Sequence, residues 1–151
     1  VIFEHRVTIE ASKKQIWDVL SDFPRAARLM PDVGDVKQKE DGSYGGTMRI
    51  RIGPIGLNLS GTIEVQQDDD LGLWNMKASA QDRRVGGGVQ ADIRVELVGS
   101  SSSASELSVT ADVQLLGHLG QLGQPLIKRK ANSTIQAFAE NLKAAVSLES
   151  A

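Results

Sequence analysis

The chain has 151 residues, a length that suits one domain able to bury its own core. Its 17 Lys and Arg against 19 Asp and Glu leave a net charge of −2, which excludes the broad basic surface that nucleic acid requires. There is no cysteine, so disulfides and thiolate metal sites are excluded and a reducing compartment fits.

No apolar run reaches the ~18 residues needed to span a bilayer. No signal-peptide pattern is visible. Val1 stands where an initiator methionine would, as in a processed or trimmed chain, and a tail lost from either end is compatible with this.

The first segment, FEHRVTIEA, alternates, so that Phe3, His5, Val7 and Ile9 share one face of a strand. Ser12 offers an N-cap, with Gln15 three residues on as a weak capping box. Ile16, Trp17, Val19 and Leu20 then make a short amphipathic helix that stops near SDFP. A second short helix is predicted over PRAARLM, with Pro24 at its first position. A long β region follows, punctuated by DGSYGG, GPIG, QDDDLG and GSSSSAS, each a turn, bulge or hairpin loop, and by RRVGGG as a bulge or tight turn. The last segment carries Leu119, Leu122, Leu126, Ile127, Ile135, Phe138, Leu142, Ala145 and Val146 on one helical stripe. Pro125 either starts this helix, with Gln124 as cap, or kinks a longer one.

The order is thus one strand, two short helices, six or so antiparallel strands and one long C-terminal helix. Short loops predict a meander, and a sheet this long curls, with the helix as lid over its concave face. One face of the strands is apolar and the other wet: Asn58, Ser60, Thr62 and Glu64 alternate with Leu57, Leu59, Gly61, Ile63 and Val65. The apolar face carries almost no ionisable group and places Gly46, Gly61, Ala78, Ala80, Ala91 and Ala111 in mid-strand. Small residues there leave room between sheet and helix. Either that room is an apolar pocket, or Ile135, Phe138 and Leu142 fill it. As a pocket, its walls would be Met48, Leu59, Gly61, Ile63, Trp74, Met76, Ala78, Ala91, Ile93 and Ala111 from the sheet, with Leu119, Leu122, Leu126 and Ile127 from the helix.

Catalytic chemistry is poorly supplied. His5 reads as a satisfied core or edge histidine, and His118 as a solvated loop residue rather than a head-group ligand. No motif assembles a Ser-His-Asp set, and no His, Asp or Glu spacing reads as a metal site. The carboxylates of QDDDLG lack the EF-hand pattern, and the glycines at 86–88 lack the Lys-Ser/Thr of a phosphate loop. Lys128, Arg129 and Lys130 form a local basic cluster. They suit anionic lipid head groups or an acidic partner, although a solvated helix face is the commoner role. An enzyme acting on a hydrophobic substrate, such as a cyclase or hydrolase, would have only His5, Tyr44, His118 and Asp112 to draw on.

Three stretches carry a family resemblance: VTIEASKKQIWDVLSDFPRAARLMPDV, DGSYGGTMRIRIGPIGLNLSGTIEV and ADVQLLGHLGQLGQPLIKRKA. Together they resemble the CoxG family, the G-subunits of carbon monoxide dehydrogenase, within the START-like, helix-grip superfamily. The family commonly shows Pro-Gly where this chain has Pro31-Asp32, and some members carry a membrane-anchoring tail that is absent here. The resemblance implies an α+β helix-grip fold over residues 1–151 as a single ligand-binding domain: a curved antiparallel sheet of about seven strands gripping a long C-terminal helix over an apolar cavity. It implies a non-enzymatic carrier or membrane-recruitment factor for a molybdenum-containing CO dehydrogenase-type enzyme, holding a lipophilic molecule such as an isoprenoid quinone, with no covalently bound cofactor. A protein of this kind would be cytoplasmic, with peripheral contact at the inner face of the plasma membrane through Lys128, Arg129 and Lys130. A pure recruitment adaptor with a filled cavity is the competing account. In the carrier account, Gly117, Gly120 and Gly123 would serve as a mobile gate rimmed by Leu116, Leu119 and Leu122, which explains three poor helix formers before the longest helix.

Overall fold

The computed structural model describes the backbone of residues 1–150 and the side chains of residues 1–147. In chain order the elements are β1 (Ile2–Ile9), α1 (Lys13–Leu20), α2 (Phe23–Ala27), β2 (Val33–Gln38), β3 (Tyr44–Ile52), β4 (Ile55–Asp68), β5 (Leu73–Asp82), β6 (Gly87–Gly99), β7 (Ser105–Gly117), a 3-10 turn (His118–Gln121) and α3 (Gln124–Ser150). The seven strands form one antiparallel sheet in the order β1-β7-β6-β5-β4-β3-β2. Strands β2 to β7 are a meander, and β1 closes against β7, with His5 opposite Val109. Among the described residues no helix is long and apolar enough to cross a membrane.

Local chemistry places the helices. The Ser12 Oγ accepts from the Gln15 amide and the Gln15 side chain accepts from the Ser12 amide, a closed capping box for α1. Its apolar face, Ile16, Val19 and Leu20, is buried. Helix α2 starts one residue before the expected Pro24, under an Asp22 cap, and ends at Ala27 rather than Met30. Helix α3 begins at Gln124, so Pro125 starts it and does not kink it. The Gly123 carbonyl accepts the first amides, from Leu126 and Ile127. The apolar stripe is therefore not continuous from Leu119, which belongs to the separate 3-10 turn.

Strands β4 and β5 approach closely where a side chain is absent. Gly61 lies opposite Ala80, and a Cβ there would run into the Ser79 carbonyl and the Ala80 backbone. Its smallness thus permits close approach of β4 and β5. Asp82 supports the same corner. It is 3% exposed, and its carboxylate accepts the backbone amides of Asn58 at 2.8 Å and Arg84 at 3.0 Å. It thereby extends the β4–β5 ladder beyond its last backbone pair. The Asn58 hydrogen bond foremost, opposed by burial and aided by the Arg84 charge, holds the Asp82 carboxyl below its ordinary pKa.

Two packed ends frame the interior. At one, α1 and the C-terminal part of α3 bury Ile9, Ile16, Val19, Trp74, Leu97, Leu107, Leu142 and Val146 together, with the Trp17 and Trp74 ring centroids 4.0 Å apart. At the other, Ile52, Leu57, Leu59 and Leu119 form a second cluster, with Leu122 and Leu126 against it.

Candidate functional site: an apolar cavity under the long helix

Between these ends, α3 meets the sheet along one side, where Ile127 packs with Phe3 and Ala111, and stands clear of it elsewhere. A cavity of about 480 Å³ remains, within the ~300–1,000 Å³ typical of small-molecule sites. Its floor is the inner face of β3 to β7, including Met48, Ile50, Leu59, Ile63, Met76, Ile93, Val109 and Val113. Its roof is one face of α3 at Ile127, Ala131, Thr134, Ile135 and Phe138, and its side wall is α2 at Phe23, Ala26 and Ala27. Phe23 and Tyr44 meet there with ring centroids 4.5 Å apart and planes tilted by 42°. Many floor residues are apolar, face inward and yet are only half-buried, because they pack against the neighbouring clusters on one side and border the hollow on the other. Leu142 fills its share of the interior completely, at 0% exposure, whereas Ile135 and Phe138 border the void without closing it.

Of the residues expected to line a pocket, Met48, Leu59, Gly61, Ile63, Trp74, Met76, Ile93, Ala111 and Ile127 do line this cavity. Five do not. Ala78 and Ala91 pair with each other across β5 and β6, and border instead a shallow polar depression on the outer face of the sheet, beside Glu64, Lys77 and Asp92. Leu119, Leu122 and Leu126 pack into the second cluster, Leu119 at 1% exposure. Helical spacing puts them on the stripe, but the break before Gln124 takes Leu119 and Leu122 out of α3, and Leu126, in its first turn, faces the same cluster.

The glycines also differ from a simple gate. Gly117 has φ 63°, pairs with Gly87 and lies against Gly86, so a Cβ would strike the Gly86 carbonyl. A Cβ on Gly120 would sit 3.3 Å from the Leu115 carbonyl, while Gly123 has only Pro125 Cδ nearby, at 3.8 Å. Residues 117–123 line no part of the cavity. The leucine rim is likewise split: Leu116 is exposed, Leu119 is buried.

The basic cluster divides too. Lys128 and Arg129 face solvent, but Lys130 turns toward the cavity, lines it, and meets Asp32 at 3.6 Å between Nζ and Oδ2. Spacing alone does not reveal this, because Asp32 is remote in sequence. Neither histidine lines the cavity, and Asp112 lies on the outer face. Among the described residues no group of three or more His, Asp or Glu is placed to hold a metal ion.

A curved antiparallel sheet that grips a long C-terminal helix over an apolar hollow defines the START-like, helix-grip class. The chain superposes on a conserved protein from Geobacillus kaustophilus with a TM-score of 0.87 at 14% identity, covering 97% of this chain and 95% of that one. A START superfamily protein from Mycobacterium smegmatis matches with a TM-score of 0.67 at 17% identity and 97% coverage of both chains. The Zhui aromatase/cyclase from Streptomyces sp. R1128 matches with a TM-score of 0.64 at 15% identity, over 99% of this chain and 92% of the other. At these identities the likeness is one of fold. No curated protein matches the sequence. Residues 6–147 match the carbon monoxide dehydrogenase G-subunit (CoxG) family, and the chain belongs to it. Asp32 adopts φ 68°, the left-handed conformation that glycine takes most readily.

Proposed function

We propose that this chain is a non-enzymatic carrier that holds a lipophilic molecule, of the isoprenoid-quinone kind, between sheet and α3. It serves as an accessory or membrane-recruitment factor for a molybdenum-containing CO dehydrogenase-type enzyme. The observation that carries this reading is the unfilled apolar cavity, whose walls are half-buried Met, Ile and Val side chains. An apolar ligand covering those walls gains roughly 25 cal/mol per Å² removed from water. Membership of the CoxG family supplies the link to a CO dehydrogenase system.

Membrane contact would be made by the exposed Lys128 and Arg129 at the start of α3, from a cytoplasmic position at the inner face of the plasma membrane. Catalysis is the weaker reading, although an aromatase/cyclase shares the fold. The polar side chains bordering the cavity are Lys130, Tyr44, Ser79 and threonines, with no base–nucleophile pair among them. A filled adaptor is disfavoured by the cavity itself. The test is to mix the protein with anionic vesicles doped with menaquinone or ubiquinone, then remove the vesicles by flotation. The account expects quinone in the protein fraction. Protein that leaves all quinone with the vesicles would refute it.

A further inference from the structure

Lys130 is the one charged side chain lining the cavity among the described residues. It is 26% exposed, so its ammonium sits where apolar interior meets solvent. Its partner Asp32 is held rigidly. Asp32 is the one non-glycine with positive φ among the described residues, and its carbonyl accepts the Arg49 amide of β3 at 2.9 Å. The backbone is thus fixed to the sheet in a conformation that disfavours a side chain, yet a carboxylate stands there and faces α3. A second tie runs from the same connection, where the Asn141 amide donates to the Leu29 carbonyl at 2.8 Å.

We propose that Asp32 and Lys130 form a head-group selector at the cavity mouth, one that admits neutral oxygen-acceptor lipids and rejects anionic ones. This rests on the lipophilic-carrier reading and specifies the ligand's polar end. An ammonium has three donors, and the 3.6 Å contact to Asp32 is longer than an ordinary hydrogen bond. A carbonyl oxygen entering from the cavity accepts a free N–H while the ion pair stays intact. A carboxylate would instead set two negative charges around one ammonium beside apolar walls, and Asp32 would oppose it.

The matched probes are methyl farnesoate and farnesoic acid, identical but for the charged end, with squalene as a head-group-free control. Wild-type protein should bind the ester about tenfold or more tighter than the acid. Asp32→Gly keeps the left-handed backbone and removes the carboxylate; it should abolish that preference by strengthening acid binding about tenfold, with ester and squalene little changed. Lys130→Met should weaken ester binding severalfold without improving the acid. Equal wild-type affinities for ester and acid, or an unchanged ratio in Asp32→Gly, would overturn the selector while squalene binding left the carrier reading standing. Failure of all three probes to bind would overturn both.

Discussion

At the scale of single residues, two glycines that look alike in sequence have opposite requirements. Gly117 needs positive φ and close approach to Gly86, so Gly117→Ala should destabilise the fold by about 2 kcal/mol. Gly123 has open space and lies outside the cavity lining, so Gly123→Ala should leave both the melting temperature and the rate of quinone uptake near the wild-type values. Thermal melts and stopped-flow uptake on the two variants check this; slower uptake in Gly123→Ala would restore the idea of a glycine gate. Lys130 teaches the reverse lesson. In sequence it belongs with Lys128 and Arg129, but helical geometry points those two outward and Lys130 inward.

At the scale of elements, the β4–β5 corner depends on one buried carboxylate. The Asp82 pKa is lowered in the folded state, so its contribution is fully present above the unfolded value of about 3.9 and is lost as pH falls through the lower folded value. Asp82→Asn should therefore melt at lower temperature than wild type at pH 7, and the gap should narrow below about pH 4. Melting curves from pH 7 to pH 2.5 measure it, and a gap independent of pH would contradict the role assigned to the charge. Most elements are legible in the sequence because period-two alternation and turn residues mark the strands of a half-wet sheet. Strand β2 is not, since Val33 and Val36 are three apart and the register shifts between them. Nor can local sequence reveal that β1 pairs with β7, more than ninety residues away, or that the leucine stripe breaks before Gln124. Alternation reads the floor of the cavity correctly over most of its extent. It fails at Ala78 and Ala91, although their neighbours Met76, Ala80, Val89 and Ile93 line the hollow, because parity fixes a face but not whether a lone methyl reaches the void.

At the scale of the whole molecule, the protein is packed at both ends and hollow between them. Apolar surface left uncovered in this way makes stability depend on occupancy. A ligand at about 100 times its Kd should add about 2.7 kcal/mol and raise the melting temperature by about 5–10 °C. Filling the roof should compete with it: Ala131→Phe projects a ring into the cavity from α3 and should cut quinone uptake about tenfold or more while the protein stays folded. The measurement that bears most directly on the carrier account is organic extraction of the purified protein, before and after incubation with menaquinone and ubiquinone analogues, with mass spectrometry of the extract and Ala131→Phe alongside. The account predicts near-stoichiometric quinone or long-chain lipid from wild type and little from the variant. An empty extract from both, even after incubation, would contradict it and favour a recruitment adaptor that carries nothing.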